Sequence, residues 1–331
     1  MKWLQHPAAG FVLKWGFASC LVVVVLFSVD LGILWQELSR LPVNLLVPTL
    51  VLTVFQVLLS AWRWRYTAGL LGAPLPFGTA VREYYLASFL NQLLPGGMLG
   101  DVNRAWRHGA VSGQPLDAIH GVAIERLSGQ LVLGLTVTVA LAWLMLSGTL
   151  VMASQWWMWL LPGLALFVVW LSRAVARSHV GMARYFRRLR GDIVRTLLKW
   201  PAFPVQMGTS LLVLASYLGV FMVLAYGAGY LGSWNALALT AALCSLLLLS
   251  MVIPVTVSGW GIREGAAALL WPMAGLPPEQ GVALSVGYGA LVFLSTLPGL
   301  VFLVTRLRRS GSRAFQPIRK SPDQRAYHFP D

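Results

Sequence analysis

Asn91, Asp101 and Arg104 fall in one glycine-rich stretch, and Glu125–Arg126 and Arg263–Glu264 are adjacent acid–base pairs. These residue types suit recognition of a charged head more than bond breaking. A guanidinium presents a planar fork of N–H donors that matches a phosphate. Arg263 is the expected headgroup contact, with Arg126 second. Glu125, Asp101 and Glu264 would organise those bases or hold a cationic head. The chain has no nucleophile elbow, P-loop or dinucleotide fingerprint. No catalytic residue, cofactor or metal is assigned, and the protein is expected not to be an enzyme. Five scattered histidines have no ligand spacing, and Cys20 and Cys244 lie in apolar runs as small packed residues.

The backbone around these residues is interrupted. Asn91 through Arg104 contains Pro95, Gly96, Gly97 and Gly100, and Pro254 to Glu264 contains Pro254, Gly259 and Gly261. Helical hydrogen bonding fails at such residues. Broken backbone cannot face lipid, because its polar groups would go unpaired, so each break must face protein or water. A helix that restarts after a break offers free N–H groups that attract anions. Ile262-Arg263-Glu264 sits at such a start, and Asp101 is placed to cap a short helix running to Arg107. Each cluster also has a purely structural reading. In that reading Asp101 is a cap paired with Arg104, Arg263 and Glu264 are a local pair holding a broken helix, and Glu125–Arg126 is an inert interfacial pair.

These breaks need apolar spans to hold them. Of 331 residues, 57% are hydrophobic and 11% charged, against about 25% charged in soluble chains. The charges cluster between long uncharged runs, as in an integral membrane protein. Spans are expected from Phe11, Leu45, Leu127, Trp156, Met207, Ala236 and Val282. The long run Pro115 to Leu146 divides into an interfacial start and the span from Leu127. Trp62, Trp64 and Tyr66 are expected at an interface. Thr79 to Leu94, at about 24 Å of helix, is shorter than the roughly 30 Å hydrocarbon core and reads as re-entrant.

Net charge is +14, with the bases concentrated in the 173–199 loop and the C-terminal tail. That placement suits cytoplasmic segments near anionic lipid and argues against nucleic acid. Within the loop, apolar positions recur every three or four residues between Val180 and Leu198, as in an amphipathic helix on a membrane surface. Both termini are then cytoplasmic, which requires an even number of crossings. Ile262 to Met273 supplies the eighth. The expected fold is an all-α polytopic membrane protein of about eight spans, one of them broken, plus a re-entrant segment, with the two breaks suggesting an internal repeat. Residues 1–305 form the membrane domain and 306–331 a basic tail.

Four pieces in order resemble the lysylphosphatidylglycerol synthase transmembrane-region family, a group of flippase-like integral membrane proteins. They are Ser60-Ala61-Trp62-Arg63-Trp64, Leu93 through Ala105, Ile124-Glu125-Arg126-Leu127, and Pro254 through Gly265. Val255 to Ser258 departs from a pattern richer in glycine. The resemblance implies a bacterial inner-membrane protein that moves a polar, anionic or modified phospholipid, glycolipid or lipid-linked precursor between leaflets. Large members add a cytoplasmic aminoacyltransferase domain. This chain ends soon after its last span, so lysyl transfer is not expected. The implied partners are membrane lipids and an envelope-lipid biosynthetic enzyme. The alternatives are a lipid-binding scaffold and, further off, a small-solute or ion transporter.

Overall fold

The computed structural model describes residues 16, 19–20, 22–27, 29–41, 43–94, 96–149, 180–252 and 256–314. The expected span over 156–171, part of that over 11–29, Pro95, Pro254, loop residues 173–179 and the tail beyond 314 lie outside them.

The described residues are helical and contain no strand. The elements are α1 (Leu31–Ser39), α2 (Leu46–Leu70), α3 (Phe77–Leu93), α4 (Leu99–Ser112) and α5 (Pro115–Leu146). They continue with α6 (Val180–Ile193), α7 (Ala202–Gly227), α8 (Trp234–Ser250), α9 (Ile262–Met273), α10 (Pro278–Thr296) and α11 (Pro298–Ala314). Four stretches among the described residues are long and apolar enough to cross a membrane: α2, α5, α7 and the continuous run Pro278–Arg306. The shorter α8 is apolar too. Side chains such as Leu135, Val139, Leu211 and Leu269 point outward, a surface that suits lipid rather than water. The chain is a multi-pass α-helical membrane protein.

The order of elements repeats. A long helix (α2 or α7) leads to a 17-residue helix (α3 or α8), then a break, a short helix (α4 or α9) and another long helix (α5 or α10). The local causes match as well. Leu94 is extended, as residues before proline must be. Gly96 and Gly97 then take positive φ, as Gly259 and Gly261 do in the second break. Each short helix ends near a left-handed glycine, Gly113 or Gly275, with a proline opening the next long helix, Pro115 or Pro278. The leading helices α2 and α7 pack on each other, α5 packs on α8, and α3 on α10. The main apolar core, including Phe221, Leu243, Leu247, Leu284 and Tyr288, lies among α7, α8 and α10.

Three expectations need correction. Pro115–Leu146 is one continuous 32-residue helix, not divided near Leu127. Nothing in it breaks a helix, and the Glu125–Arg126 pair turns inward, so the chain has no reason to leave its axis there. Trp64 is fully buried, because α2 continues past it to Leu70. Trp62 stacks on Tyr66 at the surface. Cys20 is exposed, whereas Cys244 is packed as expected. The amphipathic segment is helical, with Val194–Leu198 continuing α6 as a π-helical turn.

The loops gather at two ends. At one, Asp30 caps α1, its N–H reaches Glu279, and Glu37 accepts from Tyr230 and pairs with Arg40. At the other, the start of α5 meets α6, with Arg188 on Asp117 at 2.8 Å and His120 on Asp192 at 2.7 Å.

Candidate functional site

One face of α2 builds the first wall. Thr49, Thr53, Gln56, Ser60, Arg63 and Thr67 are spaced alternately four and three residues apart and are all buried. Helical residues at that spacing share one stripe. In a helix whose other faces are apolar, a polar stripe turns inward. Arg63 thus enters the interior. It bonds Glu125 through Nη2 and Ser210 of α7 through Nη1, the latter at 2.7 Å.

Around Glu125 an ion network closes. Arg104 bonds Glu125 at 2.7 Å and Asp101 at 2.8 Å, with its guanidinium between the rings of Trp64 and Tyr84 at 4.7 and 4.6 Å. Such faces hold a cation by attraction to the ring quadrupole. Arg126 bonds the other Asp101 oxygen at 2.6 Å. Asn91 donates to that oxygen at 3.0 Å and accepts the Gly100 N–H at 2.8 Å. Asn91 therefore ties down the start of α4, and the expected capping role of Asp101 is not what is found: its carboxylate turns to three side chains. Gly100 is required there, since a Cβ would sit 2.0 Å from the Ala87 carbonyl oxygen of α3.

Three guanidiniums meet two carboxylates, so the network holds one surplus positive charge. Every carboxylate oxygen in it is already engaged by an arginine. Asp101 and Glu125 thus organise bases, and neither has an oxygen unbonded for a cationic head. Removing one partner from such a buried set typically costs about 3–5 kcal/mol, because a charge is left uncompensated.

The second cluster is closed. Arg263 is buried and bonds Ser285 at 2.7 Å and Glu264 at 2.8 Å, between the rings of Trp260 and Tyr288. Glu264 also accepts from Ser285 and from the Gly261 N–H, both at 2.7 Å. That last bond caps α9, so the acid occupies the restarted helix where an anion was expected.

The two breaks touch. The Gly96 N–H donates to the Thr256 carbonyl at 3.1 Å. Beneath this contact lies a cavity of about 260 Å³ lined from both halves of the chain. Gly96, Gly97 and Gly259 line it, with Arg63, Arg126 and Gln56. Arg126 has 40% of its side chain accessible, so part of its fork faces the cavity. Asn91 lines it as well, while Asp101, Arg104 and Glu125 stand behind Arg126. Arg263 and Glu264 do not line it, and Tyr288 and Gly259 stand in their place. Pro95 and Pro254 lie outside the described residues.

Sequence reasoning missed Arg63, Ser210, Trp64 and Tyr84. The signal for Arg63 was the polar stripe on α2. The other three are brought in from separate helices. Among the described residues no cluster of metal-ligating side chains occurs.

Residues 11–299 match the family described as the lysylphosphatidylglycerol synthase TM region. The match covers most of the chain, and the chain belongs to that family. Comparison with curated proteins and with solved structures gives no match. Family and fold together relate the protein to lipid handling in a membrane.

Proposed function

We propose that this protein takes the head of an anionic or modified lipid into the cavity and passes it between the leaflets of the bacterial inner membrane, without covalent chemistry. The observation that carries this reading is the surplus positive charge beside a polar cavity where two broken helices meet. An unbalanced charge away from water is costly, and an anionic head entering the cavity offsets it. Arg126 makes the first contact with the head. Arg63 and Arg104 hold the field behind it, and Arg263 holds the second broken helix. The lipid chains stay in the bilayer. The Gly96–Thr256 contact is where the broken helices part to admit the head, as broken helices do around a central site in secondary transporters. In this reading α3 and α4 form the re-entrant element. The chain carries no P-loop, so movement is passive or driven by a gradient.

The test is reconstitution into liposomes with headgroup-labelled lipids, following leaflet exchange. Protein-dependent exchange is expected, and Arg126→Gln should slow it by roughly tenfold or more, the worth of a charge-assisted hydrogen bond. Equal exchange with active protein, heat-inactivated protein and the variant would sink the transport reading. Capture of an envelope-lipid enzyme without any exchange would favour a scaffold. A current independent of lipid type would favour an ion transporter.

A further inference from the structure

We infer that the head taken by this site is a phosphodiester of single negative charge whose remaining groups are uncharged and hydroxyl-bearing. The inference rests on the cavity being the lipid site proposed above. The first argument is a count of charge and of free oxygens. Arg63, Arg104 and Arg126 face Asp101 and Glu125, one positive charge in excess, and the Arg263–Glu264 pair behind the opposite wall adds none. One negative charge restores neutrality. A phosphate monoester, as a dianion, overshoots it.

An ammonium-bearing head fares worse. Asp101 Oδ1 is bonded to Arg104, and Oδ2 to Arg126 and Asn91. Glu125 Oε1 is bonded to Arg63 and Oε2 to Arg104. Glu264, set back from the cavity, bonds Arg263, Ser285 and the Gly261 N–H. An entering ammonium would find every one of these cavity-side carboxylate oxygens already shared with an arginine, and would stand beside three guanidiniums. A lysyl head, whose charges make the lipid cationic, is therefore disfavoured, although the family is described by a lysylated lipid.

Unused hydrogen-bonding capacity gives the second argument. Arg126 bonds Asp101 through Nη2, and the rest of its fork has no partner among the described residues. A phosphodiester's free oxygens only accept, so they suit it. Gln56 Oε1 and Thr256 Oγ1, on residues that line the same cavity and are more than nine-tenths buried, also lack partners. Gln56 Oε1 can only accept, and a hydroxyl on the head would supply the missing donor. Gln92, Gln130 and Ser88 add further neutral polar groups to the wall. At about 260 Å³ the cavity is below the roughly 300 Å³ at which pockets for drug-sized ligands begin, so it holds a head and leaves the chains outside.

Binding is measured separately from transport. The purified full chain in detergent is titrated with lipids of equal short acyl chains bearing glycerol, ethanolamine, lysyl-glycerol or no further group on the phosphate, read by thermal shift and native mass spectrometry. Phosphatidylglycerol should bind about ten- to a hundredfold more tightly than the ethanolamine and lysyl forms, and more tightly than phosphatidate. Arg126→Gln should erase that preference and Arg126→Lys should keep most of it. Equal affinity for all four heads, or a preference undiminished in Arg126→Gln, would overturn the inference. Glycerophosphoglycerol and inorganic phosphate serve as soluble arms. If the first matches the lipid in affinity, the head chemistry stands and the lipid is overturned as its source. A preference that survives while liposomes show no exchange overturns transport alone.

Discussion

In the first half of the molecule, the short helix α4 sends Asp101 and Arg104 toward Glu125 on the long helix that follows. In the second half, α9 sends Arg263 and Glu264 toward Ser285 on α10. The long-helix partner lies four residues before a glycine in both, Glu125 before Gly129 and Ser285 before Gly289, and each glycine lies against a guanidinium. The two clusters share this frame and differ in charge. Ser285 bonds without adding charge, so the second cluster is neutral and closed. Glu125 draws in Arg63 from α2, and Arg126 faces the cavity, so the first cluster ends one charge in excess. In the proposed reading, one architecture serves as a clasp in one half and as an anion site in the other.

The sharpest way to break that comparison is to remove a central charge from each half. Glu125→Leu leaves Arg63 without a carboxylate and Arg104 with Asp101 alone, and Arg263→Leu leaves Glu264 buried beside Ser285. Each should lower stability by about 3–5 kcal/mol, read by thermal unfolding in detergent. If Arg263→Leu is tolerated with little loss, the second cluster is no clasp.

The paired glycines give the next largest effect. A Cβ on Gly289 would stand 2.4 Å from Arg263 Nη2 and 2.9 Å from the Trp260 ring. On Gly129 it would stand 3.6 Å from Arg63, an ordinary contact. Gly289→Ala should cost about 1–3 kcal/mol through overpacking. Gly129→Ala should leave the melting temperature nearly unchanged and slow exchange instead, since Gly129 lines the cavity. Matching losses of stability would show that the two clusters are packed alike.

Much of this frame was legible in the sequence. Apolar runs gave α2, α7, α8 and α10, and glycine placement gave both breaks with the short helices after them. Which charge serves which purpose was not legible, because the bonds that decide it are remote in sequence. Arg63 and Glu125 are 62 residues apart, and Arg126 and Asp101 are 25 apart. Arg63 goes inward because α2 runs on past it to Leu70. Arg263 ranked first because it begins a helix after a break. Glu264, its own neighbour, already fills that position.

A smaller effect on stability separates Arg126 from the charges behind it. Its side chain is 40% accessible, and Asp101 keeps Arg104 and Asn91 when it is gone. Arg126→Gln should therefore cost no more than about 1 kcal/mol. Its loss of lipid exchange should exceed that of any variant of equal stability in the second cluster.

The smallest effect tests the breaks themselves. In the first, both residues of left-handed backbone, Gly96 and Gly97, are glycines. In the second, Ser258 takes φ +52° beside Gly259 and Gly261, at the place where the family resemblance carries more glycine. A side chain in that region costs roughly 1–2 kcal/mol, because its Cβ crowds the following carbonyl. Ser258→Gly removes that strain but gives the unfolded chain more freedom, a loss of about 0.4–1 kcal/mol. The two terms oppose, so the net gain should stay under about 1.6 kcal/mol, a shift of a few degrees in melting temperature for a chain of this size. Gly97 approaches Ser258 closely enough that its Cβ would lie 3.8 Å from the Ser258 Cα. The substitution thus makes the two breaks alike at their point of contact without removing a charge or a known hydrogen bond. If exchange changes more than stability does, the unequal stiffness of the breaks belongs to the opening step. If stability falls by more than about 1 kcal/mol, Ser258 holds the second break in place, and the likeness between the two interruptions stops at their glycines.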